Sequence, residues 1–222
     1  MRTKLSDRVL PRYTRGEEIF NFVSHVIGGA IGIVATVLCI LESAFKGNVW
    51  GVVTSSIFGF TMILLYTMSS LYHGLRDGIA KRVFQVLDHC SIYFLIAGTY
   101  TPIALCAIRE INPAEAWWLF GIEWGLAIVA TIFTAIDIKK FQIFSMACNL
   151  IMGWAVVFIY GTAKTALTDK GILIVLFGGI AYTIGAVLYG IGKKKKYMHG
   201  IFHIFVLIGS IFHLSAIMMY VL

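Results

Sequence analysis

Two histidines, His199 and His203, stand four residues apart in the stretch "HGIFH", at the start of a long apolar run. In an α-helix, residues at positions i and i+4 share one face and lie one turn apart. This spacing lets two imidazoles reach a single metal ion, as in the helical histidine pair of zinc proteases. Such a pair can also be merely hydrogen-bonded, so it indicates a metal site only if further ligands lie at the same depth.

Three further motifs carry ionisable or hydroxyl side chains, each near the end of an apolar run. They are Glu18, Asn21 and His25 in "EEIFNFVSH", Ser69 and His73 in "SSLYH", and Asp88 and His89 in "LDHC". The first motif has an alternative explanation as a polar helix start, because a glutamate near a helix N-terminus interacts favourably with the helix dipole. In the other two motifs, His73 and Asp88 can lie side by side only if the ends of their two helices are close together.

The composition determines the environment of these motifs. Of the 222 residues, 59% are hydrophobic and 13% are charged, whereas a soluble domain has roughly 25% charged residues. Seven apolar runs are long enough to cross about 30 Å of hydrocarbon, which takes about 20 residues. The predicted spans are Phe20–Phe45, Val49–Tyr72, Val83–Cys106, Trp117–Ile136, Phe141–Thr162, Gly171–Gly192 and His199–Leu222. Because the runs are too long for barrel strands and lack their alternation, the sequence predicts an all-α integral membrane protein with seven transmembrane helices.

The distribution of Lys and Arg predicts the orientation. With seven crossings, the N-terminal segment and the second, fourth and sixth loops share one side, and they carry 14 of the 18 basic residues. Such an excess marks the cytoplasmic side, so we expect the N-terminus in the cytoplasm and the C-terminus outside the cell membrane. Residues 1–18 would form a basic cytoplasmic arm on anionic headgroups, and residues 19–222 the seven-helix domain. These clusters explain the net charge of +7 without a nucleic-acid partner.

On this topology, five of the six histidines and Asp88 fall in the cytoplasmic half of the bilayer, on four different helices. Ionisable groups at membrane depth are costly and usually face a cavity or one another. His73 would complete a three-histidine set with His199 and His203, and three protein ligands with one open position are typical of catalytic zinc. His213 lies ~15 Å deeper by helical rise and off the shared face, so we exclude it from the metal site.

Glu123 lies partway into the fourth apolar run, on the outer side. It is a candidate proton site. A charged carboxylate is costly in hydrocarbon, so we expect this long side chain to extend to the outer rim instead.

Taken together, "EEIFNFVSH", "SSLYH", "LDHCSIYFLIAGTYTP" and "HGIFH" resemble, in order and in helix placement, the signature motifs of the progestin and adiponectin receptor family. The short loops resemble its bacterial branch, the hemolysin III-related proteins, and the resemblance covers essentially the whole chain. It implies seven helices, a cytoplasmic N-terminus, and Zn²⁺ held near the cytoplasmic face by His73, His199 and His203. It also implies that Asp88 contacts the zinc through a water and that Ser69 lies close by. The wider superfamily includes alkaline ceramidases, which implies hydrolysis of a lipid amide.

We therefore expect zinc-dependent hydrolysis of a lipid amide or ester. Zinc would lower the pKa of a water and polarise the scissile carbonyl. Asp88 would orient that water and accept its proton, and Ser69 would donate a hydrogen bond to the oxyanion. Glu18, Asn21 and His25 would fix the ligand imidazoles from behind. A site inside the bilayer implies that the lipid enters sideways, with its carbonyl near headgroup level.

Three other functions stay open on the sequence. In a non-catalytic, receptor-like regulator of membrane composition or energetics, zinc would be a structural clamp. A cytolytic, pore-forming protein is less consistent with seven spans, which suit residence in the protein's own membrane. A proton or ion transporter is less consistent with Pro102 as the only proline within a span and with the lack of paired broken helices.

Overall fold

The computed structural model describes residues 3–192 and 195–222, and every regular element within these ranges is helical. The main helices are α1 (Arg15–Phe45), α2 (Val49–Gly74), α3 (Ile79–Pro102), α4 (Pro113–Ile136), α5 (Gln142–Gly153), α6 (Tyr160–Gly192) and α7 (Met198–Tyr220). A π-helical turn, Ile103–Ile108, continues α3 beyond Pro102. The prediction of an all-α membrane protein is confirmed.

In the described ranges, six helical segments are long and apolar enough to cross a membrane, whereas the sequence predicts seven spans. The difference lies in one segment of 50 residues, Gln142–Ile191, which covers the fifth and sixth predicted spans almost completely. The polar connection expected between those spans is itself helical, apart from Thr168, whose φ of 64° and ψ of 171° interrupt α6. A 3₁₀ turn, Ala155–Ile159, separates α5 from α6.

The outward faces of the helices are apolar, as a lipid environment requires. In α1, Val34 and Val37 are 58% and 51% exposed, while Gly28, Gly32 and Ala35 of the same helix are buried. In lipid, helices associate through small residues that allow close approach, since burying apolar surface gains little there. The small residues of α1 accordingly face the bundle and the large ones face outward.

Close packing fixes the relative depth of α1, α2 and α3. A Cβ atom at Gly59 of α2 would collide with Thr36 of α1, and one at Gly98 of α3 would collide with Thr61 of α2. Neither glycine can be enlarged without moving a helix. The helices that carry His25, His73 and Asp88 are therefore held at fixed heights relative to one another.

The first helix begins at Arg15, inside the arm predicted for residues 1–18. Thr14 and Glu17 form a capping box, in which the Glu17 N–H donates to Thr14 Oγ1 at 3.3 Å and the Thr14 N–H donates to Glu17 Oε2 at 2.8 Å. This reciprocal pair satisfies two backbone donors that a helix start otherwise leaves unpaired. The capping signal, rather than the onset of hydrophobicity, sets the boundary.

The arm that precedes Thr14 packs on the end of α4. Arg8 is buried and donates from Nη2 to the carbonyl oxygens of Ala135 and Ile136, at 3.1 and 2.7 Å. Beside them, the Asp137 carboxylate accepts hydrogen bonds from Thr3 and from the backbone N–H of Lys140. These bonds lower the pKa of Asp137 to about 2, so it stays charged at neutral pH. The arm is thus anchored to protein, and Arg8 is not free to meet the headgroups expected for it.

Candidate metal centre

Three imidazoles from two helices converge at one end of the bundle. His73 ends α2, and His199 and His203 lie in the first two turns of α7. Nε2 of His199 lies 3.3 Å from Nε2 of His73 and 3.1 Å from Nε2 of His203. All three residues are buried, and one nitrogen of each ring lies within 4.8 Å of the others. This group could hold a metal ion.

The far side of two of these rings meets oxygen acceptors. Nδ1 of His73 lies 2.6 Å from Oε2 of Glu18, and Nδ1 of His203 lies 3.3 Å from the backbone carbonyl oxygen of Asn21. These oxygens accept hydrogen bonds, so in the neutral imidazole Nδ1 carries the proton and donates it. The Nε2 atoms of His73 and His203 then direct their lone pairs at the centre of the group.

The spacing of the Nε2 atoms fits a tetrahedral metal ion. With metal–nitrogen bonds of 2.0–2.1 Å, two ligand nitrogens of a tetrahedral zinc site lie ~3.3 Å apart. The separations of 3.1 and 3.3 Å agree with this value. Metal-bound histidines typically donate their second N–H to a carboxylate or carbonyl oxygen, which is what Glu18 and Asn21 accept here. Glu18 is itself fixed by Lys81, whose Nζ donates to Oε1 at 2.7 Å.

The remaining predicted residues meet this centre in different ways. His25 stacks on His203, with ring centroids 3.6 Å apart, and neither of its ring nitrogens has a partner among the described residues. Its contact with His203 is therefore ring stacking, and neither nitrogen of His25 takes part in a hydrogen bond within the described ranges. Ser69 is fully buried one turn before His73, and within the described ranges its hydroxyl is unpaired. Asp88 is buried in the wall of a cavity that His199 and His203 also line.

This cavity, called the central cavity below, lies between α1, α2, α3, α5, α6 and α7 and is mostly apolar. His199, His203 and Asp88 line one part of it, together with His25 and His89. Its walls elsewhere are aliphatic and aromatic, with isolated polar groups. An apolar cavity with a few convergent polar groups is typical of a small-molecule site.

Two contacts of the centre were not expected from the sequence. Tyr13 of the arm stacks on His199, with centroids 5.2 Å apart, and lies 5.6 Å from the ring of His73. Burial raises the pKa of the Tyr13 phenol, so the ring covers the imidazoles as a neutral group. Lys81 pairs with Glu18 instead of lying in solvent. No sequence pattern relates Tyr13 to the histidines. Lys81 lies two helical turns before Asp88, and this spacing places both residues on one face of α3.

Two other buried polar residues lie apart from the metal group. Glu123 is 0% exposed, and within the described ranges neither carboxylate oxygen has a hydrogen-bond partner. The expectation that it extends to the outer rim is wrong, because this face of α4 is enclosed by the bundle. His213 is buried in α7 and does not belong to the three-histidine group, as expected.

Replacing Glu18 by Gln is expected to weaken metal binding about 10- to 100-fold, because a neutral amide is a poorer acceptor for the Nδ1–H of His73. Glu17→Gln is the matched control, since the Glu17 carboxylate accepts its hydrogen bonds from Thr14 and from the backbone N–H of Tyr197 and not from an imidazole. Competition with a chelating dye in detergent would measure both affinities. Equal affinity of the two variants would contradict the role given to Glu18.

Comparison with known proteins agrees with the motifs. A family model described as Haemolysin-III related matches residues 13–214. "Hemolysin-3" of Bacillus cereus is 37% identical over 206 residues, which are 93% of this chain and 92% of that protein. The "Hemolysin-3 homolog" of Bacillus subtilis (strain 168) is 36% identical over 198 residues, 89% of this chain and 91% of that protein.

A more distant relative is the "Monocyte to macrophage differentiation factor" of Homo sapiens, which is 26% identical over 178 residues, 77% of this chain and 71% of that protein. No solved structure matches the chain. The matched family range runs from Tyr13, which covers the centre, to beyond His203. The chain therefore belongs to the Haemolysin-III related family, and it is a multi-pass protein of the cell membrane.

Proposed function

We propose that this protein is a seven-helix, zinc-dependent hydrolase that acts on an amide or ester of a long-chain lipid. Its main support is one geometric observation. Three buried imidazoles are grouped closely enough to share a metal ion, and two of them, His199 and His203, line an apolar cavity together with Asp88. A metal site that serves structure alone is usually closed by four protein ligands, whereas a catalytic one keeps a position open.

In this proposal His73, His199 and His203 hold the metal. When bound, zinc would lower the pKa of a water and polarise the scissile carbonyl. The donor set suits zinc, since neutral imidazoles bind it readily. The hydrogen bonds of Glu18 and Asn21 to two of the rings would hold the Nε2 lone pairs in position.

The remaining steps belong to side chains of this chain. Asp88 orients the attacking water and accepts its proton, a role supported by its place in the wall of the cavity that His199 and His203 also line. Ser69 donates its unpaired hydroxyl to the carbonyl oxygen as that oxygen becomes negative. The apolar walls hold the acyl chain and exclude bulk water.

The count of seven crossings is part of the proposal. α1 and α7 both begin at the metal centre, since Asn21 contacts His203. Two helices that begin on one side are separated by an even number of crossings. α1, α2, α3 and α4 supply four, so an even number is left for the segment Gln142–Ile191, and its 50 residues are long enough for two. Contacts agree, because Gly171 packs on Tyr220 at the far end of α7, whereas Tyr189 packs on His199 at its start.

Reporter fusions would test this topology. A reporter that is active only in the cytoplasm should be active at Met1 and inactive beyond Leu222, since seven crossings put the termini on opposite sides. A second reporter, active only outside the cell membrane, should give the reverse pattern. Its activity beyond Leu222 would show that the first reporter is inactive there because of its location and not because of poor expression. A cytoplasmic C-terminus would mean that one predicted span does not cross.

The proposed ligands are membrane lipids. Exposed basic residues of the arm, such as Arg12 and Arg15, would contact anionic headgroups on the cytoplasmic side. The acyl lipid would enter from the bilayer, because the central cavity is lined by residues of the spans themselves. Its carbonyl would then lie at the depth of the metal centre.

Metal analysis of the purified protein, combined with lipidomics of cells that lack it, would test the function. Zinc in the protein and an accumulating acyl lipid in the cells are expected. Zinc without any lipid change would favour a structural clamp in a non-catalytic regulator. Release of dye from liposomes by the purified protein would instead favour a cytolytic activity, which the names of the bacterial relatives suggest for those proteins.

A further inference from the structure

A buried histidine far from the metal group has no role in the proposed chemistry. His213 is 4% exposed, and neither of its ring nitrogens has a hydrogen-bond partner among the described residues. It lies ten residues beyond His203 on α7, which is ~15 Å along the helix axis. Buried polar groups without partners cost free energy, and a native structure retains few of them. A hydrogen-bond partner for His213 therefore has to come from outside the described residues.

His213 belongs to the wall of the cavity that adjoins the metal centre. The central cavity is lined at one end by His199 and His203 and elsewhere by His213. The wall between these positions is mainly apolar and includes Leu65, Ile92, Ile96, Phe202 and Val206. A long, apolar ligand that reaches the metal centre can therefore also reach His213.

The ring of His213 is held in place by packing alone. A Cβ atom at Gly178 of α6 would collide with it, so the absence of a side chain there makes room for the imidazole. The ring of Tyr182 lies 5.3 Å away, centroid to centroid, but its hydroxyl is hydrogen-bonded to Ser210 Oγ at 2.9 Å. Ser210 Oγ also accepts a hydrogen bond from Tyr66. The hydroxyls of Tyr182, Ser210 and Tyr66 are thus already paired with one another.

We propose that His213 is a specificity-determining residue that binds a hydroxyl group far along the acyl chain of the bound lipid. A neutral imidazole has one donor and one acceptor, and a hydroxyl can pair with either nitrogen. A charged group would be costly in a cavity with apolar walls. The inference rests on the proposed function in one respect, which is that the carbonyl of the lipid lies at the metal centre and its chain fills the cavity.

Binding of free fatty acids to the full-length protein in nanodiscs tests this without relying on catalysis. Three acids displace a fluorescent fatty acid: oleic acid, ricinoleic acid, whose hydroxyl stands beyond the middle of the chain, and α-hydroxyoleic acid, whose hydroxyl adjoins the carboxylate. Ricinoleic acid is expected to bind about tenfold tighter than oleic acid, since it pairs a buried group that is otherwise unsatisfied. α-Hydroxyoleic acid controls for general polarity and should gain nothing from His213.

Variants assign the preference to the residue. His213→Phe should abolish the preference for ricinoleic acid, and His213→Gln, which keeps a donor and an acceptor, should retain part of it. His89→Phe is the matched control, because His89 also lines the cavity but its ring nitrogens already contact the Gln85 carbonyl oxygen and the Tyr189 hydroxyl. It should leave the ratio of the two affinities unchanged.

The outcomes separate this inference from the proposed function. If oleic and ricinoleic acid bind equally to the unmodified protein, or if His213→Phe keeps the preference, the role of His213 is wrong and the lipid cavity stands. If none of the acids binds, both the lipid cavity and the inference fail. Should His213→Phe fail to fold, the comparison of the three acids on the unmodified protein still decides, because equal affinity for ricinoleic and α-hydroxyoleic acid overturns a distal hydroxyl site.

Discussion

In His203→Ala, the bound metal is expected to be lost. His203 supplies one of the three grouped imidazoles, and its Nε2 lies 3.1 Å from Nε2 of His199, which in turn lies 3.3 Å from Nε2 of His73. Only His73 and His199 would remain, and zinc sites in proteins rely on three or four protein ligands. The loss of affinity should exceed the roughly 10- to 100-fold drop expected when only a hydrogen-bonding partner of a ligand is removed. Elemental analysis of the purified variant would measure the remaining metal.

His213→Ala is the matched control for this loss. His213 is the same residue type, lies on the same helix and is also buried, but it is not one of the three grouped histidines. It should keep the metal content of the unmodified protein. Equal metal content in His203→Ala and His213→Ala would rule out the three-histidine site.

Asp88→Asn is expected to reduce release of the acyl chain by about 10²-fold or more, the usual scale for loss of a general base. Asparagine keeps the size and most of the hydrogen bonding of aspartate, but it cannot accept the proton of the attacking water. Asp88 is buried beside the centre and is not one of the grouped ligands. The metal should therefore stay bound while turnover falls.

Acyl release and zinc content would be measured on the same nanodisc preparation. Asp137→Asn is the control, since Asp137 is engaged with the arm at the end of α4, outside the central cavity. It should release acyl chains at the normal rate. If Asp88→Asn loses its zinc, Asp88 is a direct ligand and the division of roles is wrong. If Asp88→Asn turns over normally, the carboxylate is not the base.

The class of protein could be predicted from local features of the sequence. A helix that crosses hydrocarbon must satisfy its own backbone groups and present apolar side chains, so each span is visible as a run of about 20 residues. The membrane location, the helical fold and the family are confirmed. The number of spans differs between sequence and structure, because the connection between the predicted fifth and sixth spans is helical except at Thr168.

The grouping of three histidines could also be predicted. The spacing of His199 and His203 fixes a shared face, and alternation of helix direction brings the end of α2 and the start of α7 to one side. These are properties of sequence order and helical geometry alone. The structure brings His73 to that face. The identity of the metal and the chemistry stay proposals.

The surroundings of that group depend on the rotation and tilt of each helix, which packing between distant residues sets. His25 lies on the expected helix, and only the packed structure shows that its ring stacks on His203. Glu123 is enclosed rather than extended to the rim, because the face of α4 that carries it turns inward. Sequence spacing predicts the position of a residue along its helix, but it does not predict which other helix packs against that residue.

By itself, the sequence determined that the chain lies in a membrane and that it is helical, because both follow from local composition. It also predicted which ionisable residues lie near the same helix ends, since helical rise fixes their positions along each helix. Only the tertiary structure decided what covers the centre and what lies beyond it. Tyr13 reaches His199 because the arm folds back over the helix ends. His213 belongs to the wall of the cavity beside the metal centre, and its ring occupies the space that Gly178 leaves free. Both are contacts between side chains of different segments, and such contacts exist only once the helices have packed.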